Sequence, residues 1–440
     1  MQRVTGTPGQ GLLGATLGFF IGFAAVALFG PTASKFQQVM HLSPLAIGFL
    51  VAMPSLSGSL LRIPFSAWVD TTGGGKPFLV LLGLSVAGMA GLSAVVAFLY
   101  PARLTADYLP LLLVLAVLCG CGIATFSVGI SQVSYWYPRR AQGRALAVFA
   151  GVGNVAPGIF SLLIPLALGT LGLTSSYLIW LGMLVSGTLA YWLLGRNSPY
   201  FQLRAQGLEA DEARRAAAGY GQELFPAGSM RDSLAASAHV WRTWALVSVY
   251  FTTFGGFIAL TAWLPTYWMG NFGMTAIQAG MLTAFYSVLT SLIRVLGGVV
   301  SDRLREGGEN TAILALLIML MGALVMIGAQ EYQLAIPGEI LLAAGMGICN
   351  AAVFKLVPQA VPHAVGGAAG WVGGLGAFGG FAIPPMLAFA VRDLGKNGYS
   401  IGFIIYLFLA LVSLFMVWIL KYSEQPQAAV LPAAEKAVVR

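Results

Sequence analysis

Two arginines stand where arginines are rarely found. Arg62 lies in the apolar run Leu60-Leu61-Arg62-Ile63-Pro64-Phe65 and Arg294 in Leu292-Ile293-Arg294-Val295-Leu296-Gly297, and each is followed eight residues later by an aspartate, Asp70 or Asp302, where the run ends. At 1.5 Å of rise per residue, each guanidinium falls roughly 12 Å inside its helix end, near the middle of a hydrocarbon core about 30 Å thick. An arginine there costs on the order of 2.5 to 3.5 kcal/mol on insertion scales, and is seldom left without a partner or a water-filled cavity. The fifteen acidic residues fall in loops, at helix ends or in tails, with Glu339 alone close to a span. The counter-charge is therefore expected from solution, as a small anion. Two planar guanidinium forks can hold an oxyanion through several charge-assisted hydrogen bonds, with a geometry lysine does not offer. The competing reading is structural, with each guanidinium bonded to helix carbonyls.

The elements that must position these groups are membrane spans. A chain of 440 residues that is 58% hydrophobic and 9% charged lies outside the soluble range and reads as a polytopic membrane protein. Apolar runs long enough to cross occur at about 12–30, 46–69, 77–100, 108–137, 145–169 and 175–194, then at 243–268, 276–301, 311–329, 337–361, 366–391 and 401–420. The first is read as a retained span and not as a removed signal peptide. The expected organisation is a six-helix bundle over 1–194, a linker over 195–242, a second six-helix bundle over 243–421 and a tail over 422–440. The linker, rich in arginine and acidic residues, reads as a solvated tether with a short surface helix over Leu208–Ala218.

The net charge of +8 would suggest nucleic acid or an anionic surface in a soluble chain; here it reports loops on one side of a membrane. Lys35, Arg103, Arg392 and Lys396 are the loop cations on one side, and the others gather on the opposite side with the linker and both termini. That side is expected to be cytoplasmic. Cys119, Cys121 and Cys349 all fall in apolar runs, as small buried thiols without a disulfide or metal pattern. No metal, cofactor, nucleic-acid partner or enzymatic centre is expected.

The two halves repeat each other. Arg62 and Asp70 map onto Arg294 and Asp302 in the second run of each half, and Val152-Gly153-Asn154 through Pro165 maps onto Val372-Gly373-Gly374 through Pro385 in the fifth. Parallel six-span repeats around one midplane site are the layout of the major facilitator superfamily. The stretches after the aspartates, Gly73-Gly74-Gly75-Lys76 and Arg303-Leu304-Arg305-Glu306-Gly307-Gly308, resemble its loop signature. Asp70, Asp302 and Arg303 are accordingly candidates for a gate held by ion pairs and helix-end contacts, the alternative being a plain helix stop with a solvated charge.

More narrowly, the chain resembles the nitrate/nitrite porter (NarK-type) family. The likeness rests on Ala150-Gly151-Val152-Gly153-Asn154, on Gly373-Gly374-Leu375-Gly376-Ala377-Phe378-Gly379-Gly380, on Ser134-Tyr135-Trp136-Tyr137-Pro138-Arg139 and on Tyr250-Phe251-Thr252-Thr253-Phe254-Gly255. It implies an all-α fold of twelve transmembrane helices in two pseudo-symmetric bundles. It also implies a nitrate site formed by Arg62 and Arg294, with aromatic walls from Phe126, Tyr250 and Phe254 and a polar contribution from Asn154. Spacing alone says less: Tyr250 and Phe254 share a helix face, which fits packing equally well. Gly153, Gly373, Gly376 and Gly380 would let the fifth and eleventh spans pack closely and slide as the halves rock; static close packing remains the alternative. The expected function is carriage of nitrate and nitrite by alternating access, as nitrate/nitrite exchange, in a lipid-embedded monomer of a bacterial inner membrane. Exchange is favoured because no carboxylate is read inside a span. Nitrate/proton symport, or carriage of another small anion, is the alternative.

Overall fold

The structure is a computed structural model that describes residues 4–226, 230–303, 307–361 and 364–423, and among these every regular element is helical. Lipid offers no partner to a backbone N–H or C=O, so a membrane-crossing chain of this composition satisfies its backbone within helices. Eleven continuous stretches are long and apolar enough to cross. Those of the first half are Pro8–Met40, Pro44–Thr72, Gly75–Leu99, Ala106–Trp136 and Arg144–Leu194. Those of the second are Trp241–Phe272, Ala276–Gly298, Gly308–Gly328, Tyr332–Ala360, Val365–Ile401 and Ile404–Tyr422.

The stretch Arg144–Leu194, 51 residues long, is two crossings. Gly172 interrupts it with φ 77° and ψ 174°, a conformation that needs glycine. Phe160 and Trp180 lie on opposite sides of that glycine, and their ring centroids are 5.0 Å apart. On an unbroken helix they would be separated by about 30 Å. The chain thus folds back at Gly172, and twelve crossings result among the described residues.

Three local breaks shape the interior. Pro64 cannot donate to the Leu60 carbonyl, and the second span breaks at Leu61, so that Arg62 opens the helix Arg62–Thr72. Pro157 leaves the Gly153 carbonyl without its donor, and the fifth span breaks at Val155, next to Asn154. The seventh span widens into a π-helical turn at Phe251–Gly255, a form that recurs at functional sites.

The halves meet through glycine on the face away from the linker. A side chain at Gly48 would run into Ala388 and, at 3.1 Å, the Pro384 carbonyl; one at Gly158 would meet the Ser287 Cβ at 2.9 Å. Gly30 and Gly280 are closed in the same way by the carbonyls of Ala262 and Ser161. On the opposite face the halves are parted by a cavity of about 1170 Å³.

Two expectations are corrected. The linker is not a bare solvated tether: it forms helices over Pro199–Ala205, Ala210–Gly219 and Met230–Ala238. Leu203, Leu208, Ala213 and Ala217 bury a small apolar core of their own, and Met230–Ala238 is tied to the eleventh span by the Gly367 N–H to the Ser233 Oγ at 3.0 Å and the Trp371 Nε1–H to the Leu234 carbonyl at 3.0 Å. The second correction concerns Glu339. The tenth span begins at Tyr332, so this carboxylate sits two turns inside a crossing, 1% exposed. The three cysteines are free and buried, as expected.

Candidate functional site

Arg62 is 1% exposed and reaches the boundary between the halves. Its Nε donates to the Gly58 carbonyl of its own span at 3.0 Å, and its Nη1 to the Gly373 carbonyl of the eleventh span at 3.1 Å. Its Nη2 is buried without a partner. The carbonyl-bonded reading thus holds for two of its nitrogens and not for the third. Ser127 fixes the backbone beneath it by donating to the Arg62 carbonyl at 3.2 Å.

Arg294 comes from the eighth span, and its Nη1 is likewise buried without a partner. One ring links the two cations: the Arg62 and Arg294 guanidinium carbons lie 5.3 and 5.8 Å from the Phe254 centroid. Phe126 covers Arg62 at 5.0 Å and Phe354 covers Arg294 at 5.8 Å. Aromatic faces carry negative charge density, and each such contact offsets part of the desolvation of a buried cation. The π-helical turn sets this stack, with Tyr250 and Phe254 nearly parallel, 10° apart in plane and 4.8 Å between centroids. The Tyr250 hydroxyl is fully buried, within electrostatic reach of both arginines; it makes no well-formed hydrogen bond, and the Arg294 guanidinium lies in position to bond to it.

Asn154 is 2% exposed. Its carbonyl accepts from the Ser291 Oγ at 3.2 Å, across the boundary between the halves, and its Oδ1 is unpartnered. Four groups aimed at the midplane therefore keep spare capacity: the Arg62 Nη2, the Arg294 Nη1, the Tyr250 hydroxyl and the Asn154 Oδ1. Other buried polar atoms without partners occur elsewhere in the molecule; what distinguishes these four is that they include two guanidinium nitrogens, one from each half. Three of them can donate. A planar oxyanion of single charge matches them in hydrogen bonding and in sign. Among the described residues, no carboxylate pairs with either arginine.

The cavity runs from Arg62, Arg294 and Phe126 to Asp70, Tyr135 and the linker residues Phe225 and Asp232. Asp70 accepts from the Tyr135 hydroxyl at 2.6 Å, at the linker end of its span. Asp302 and Arg303 close the helix Ala276–Arg303, and their side chains lie outside the described residues.

The glycines divide by surroundings. Gly373 has open space where a side chain would be and lines the cavity. Gly376 lies against Tyr250, 2.7 Å from a built Cβ to its Cδ1, and Gly380 against the Ile258 Cγ2 at 2.6 Å. Gly153 is pressed onto the Phe19 ring. Sequence reasoning missed three participants. Ser291 could have been found, three residues before Arg294 on the same helix face. Phe354 carried no such signal, and the Gly373 carbonyl is a backbone atom that no residue type announces.

Residues 15–384 match the Major Facilitator Superfamily. The chain belongs to that superfamily. The curated relatives of this major facilitator chain include a probable nitrate/nitrite antiporter of Thermus thermophilus, 30% identical over 93% of this chain and 91% of that one. A nitrite extrusion protein of Bacillus subtilis is 26% identical over 93% and 94%. A probable nitrate transporter of Staphylococcus epidermidis is 25% identical over 88% and 91%. The xylose transporter of E. coli, in a partially occluded inward-open conformation, superposes with a TM-score of 0.69 at 16% identity, over 96% of this chain and all of that one. That likeness carries the fold. The all-α major facilitator architecture and the nitrate/nitrite porter resemblance expected from the sequence are both borne out, and the chain is an integral membrane transporter, not an enzyme.

Proposed function

We propose that this carrier moves nitrate and nitrite across a bacterial inner membrane by alternating access, exchanging one anion for the other. The observation that carries the reading is the pair of arginines from equivalent spans, Arg62 buried and Arg294 partly exposed to the cavity, each holding a buried guanidinium nitrogen with no protein partner. The names of the relatives supply the anion. In this reading nitrate sits between Arg62 and Arg294, bonded by the Tyr250 hydroxyl, walled by Phe126 and Phe254 and bordered by Asn154. Two facing cations repel across a site of low dielectric, so the empty carrier resists reorienting and the loaded one rocks. Gly153, Gly373, Gly376 and Gly380 serve the rocking, and Asp70, Asp302 and Arg303 the gate. The linker and both termini lie in the cytoplasm, and one chain in lipid suffices for transport.

Counterflow in sealed vesicles tests it. External nitrate should speed the efflux of preloaded nitrite; efflux equally fast without it rules exchange out. Nitrate/proton symport is a second reading, and Glu339 favours it. With Glu339 inside a crossing, an absence of intramembrane carboxylates no longer supports exchange, which rests on the paired arginines.

A further inference from the structure

Glu339 takes no part in the site described above. It lies seven residues past Tyr332, about 11 Å into the tenth span, and fifteen residues, some 22 Å along the axis, before Phe354, which covers Arg294. It is therefore no counter-ion to that arginine. Neither of its carboxyl oxygens has a hydrogen-bond partner. The titratable groups facing it are Tyr267 of the seventh span and Tyr286 of the eighth. The Tyr286 hydroxyl points instead at the Met346 sulfur, 3.0 Å away, and the Tyr406 hydroxyl behind it donates to the Gly256 carbonyl at 3.2 Å. The ninth span contributes only apolar and small residues here, Val325 and Met326 against Gly338. No cation among the described residues pairs with it.

An ionised carboxylate in such surroundings is penalised far more than a neutral acid, and a group so placed neutralises itself by binding a proton. The surroundings are those of one conformation. Glu339 stands on the face away from the linker, where Gly48, Gly158 and Gly280 hold the halves shut. We propose that Glu339 is a proton-binding site that loads from that face and whose protonation accompanies its closure, linking net anion entry to proton entry. The step is transfer of a proton from water to the carboxylate, with no other bond made or broken. Anion-for-anion exchange does not need it, because exchange can proceed with the proton left in place. The inference rests on the anion-carrier reading.

The test uses the full chain in sealed liposomes with a pH-sensitive dye inside, an inward nitrate gradient, and a parallel measurement of labelled-nitrate counterflow. Glu339→Gln keeps the shape and removes the titration. Wild-type vesicles should acidify as nitrate enters; the variant should lose the acidification and keep the counterflow. Infrared spectra at neutral pH give a second readout, a protonated carboxyl C=O band present in wild type and missing in the variant. Unchanged acidification in the variant, nitrate entry into wild-type vesicles with no acidification, or absence of that band overturns the assignment. Absence of counterflow in wild type strikes the nitrate reading instead, and the infrared band still decides whether Glu339 holds a proton.

Discussion

Replacing Arg62 by lysine keeps a positive charge and discards a fork that already spends two of its nitrogens on carbonyls. A hydrogen bond to a charged group contributes about 1.5 to 3 kcal/mol, so the nitrate dissociation constant in Arg62→Lys or Arg294→Lys should rise roughly 10- to 100-fold by titration calorimetry. Near-normal affinity would reduce the arginines to a diffuse field. Tyr250→Phe is the sharper probe. Its hydroxyl makes no well-formed hydrogen bond in the protein, with only the Arg294 guanidinium in position to bond to it, so thermal stability should change little while nitrate affinity drops about 3- to 10-fold for one lost hydrogen bond of about 1 kcal/mol. A fall in melting temperature with affinity intact would make the hydroxyl structural. The arginines were legible in the sequence because a charge in an apolar run is conspicuous. Which of their nitrogens stay free was not, because that depends on backbone carbonyls brought from a helix hundreds of residues away.

Two glycines of one span should behave differently when given the same methyl group. At Gly376 the new carbon meets the Tyr250 Cδ1 at 2.7 Å and Cβ at 2.8 Å, so Gly376→Ala should destabilise by about 1 to 3 kcal/mol, read as a lower unfolding temperature. At Gly373 it enters open cavity, so Gly373→Ala should fold normally and alter anion affinity alone. Equal losses of stability at both positions would contradict the packing described. At this scale much was legible: the two apolar runs on either side of Gly172, and the repeat that pairs the arginines. The π-helical turn was not, since Phe251 to Gly255 would sit equally well in an ordinary helix. Glu339 lies only two residues into the apolar run read at 337–361, whereas the helix begins five residues earlier, at Tyr332.

Alternating access requires the far face to part as the cavity closes. A valine at Gly48 runs into the Ala388 Cβ and presses on the Pro384 carbonyl at 3.1 Å, so Gly48→Val should hold that face ajar. A cysteine placed there should label faster than in wild type, and one in the cavity should label more slowly; unchanged labelling at both would show that the contact does not set the resting state. The fastening of Met230–Ala238 to Gly367 and Trp371 has its own consequence. A strip bound to one bundle travels with it as a flap travels with its hinge. The distance between spin labels at Ala235 and Val365 should hold constant through the cycle, while that between Ala235 and Arg144, on the opposing bundle, swings. The doorway on that side is then framed partly by chain that lipid does not grip, and its width can be altered from the water without touching a single membrane helix.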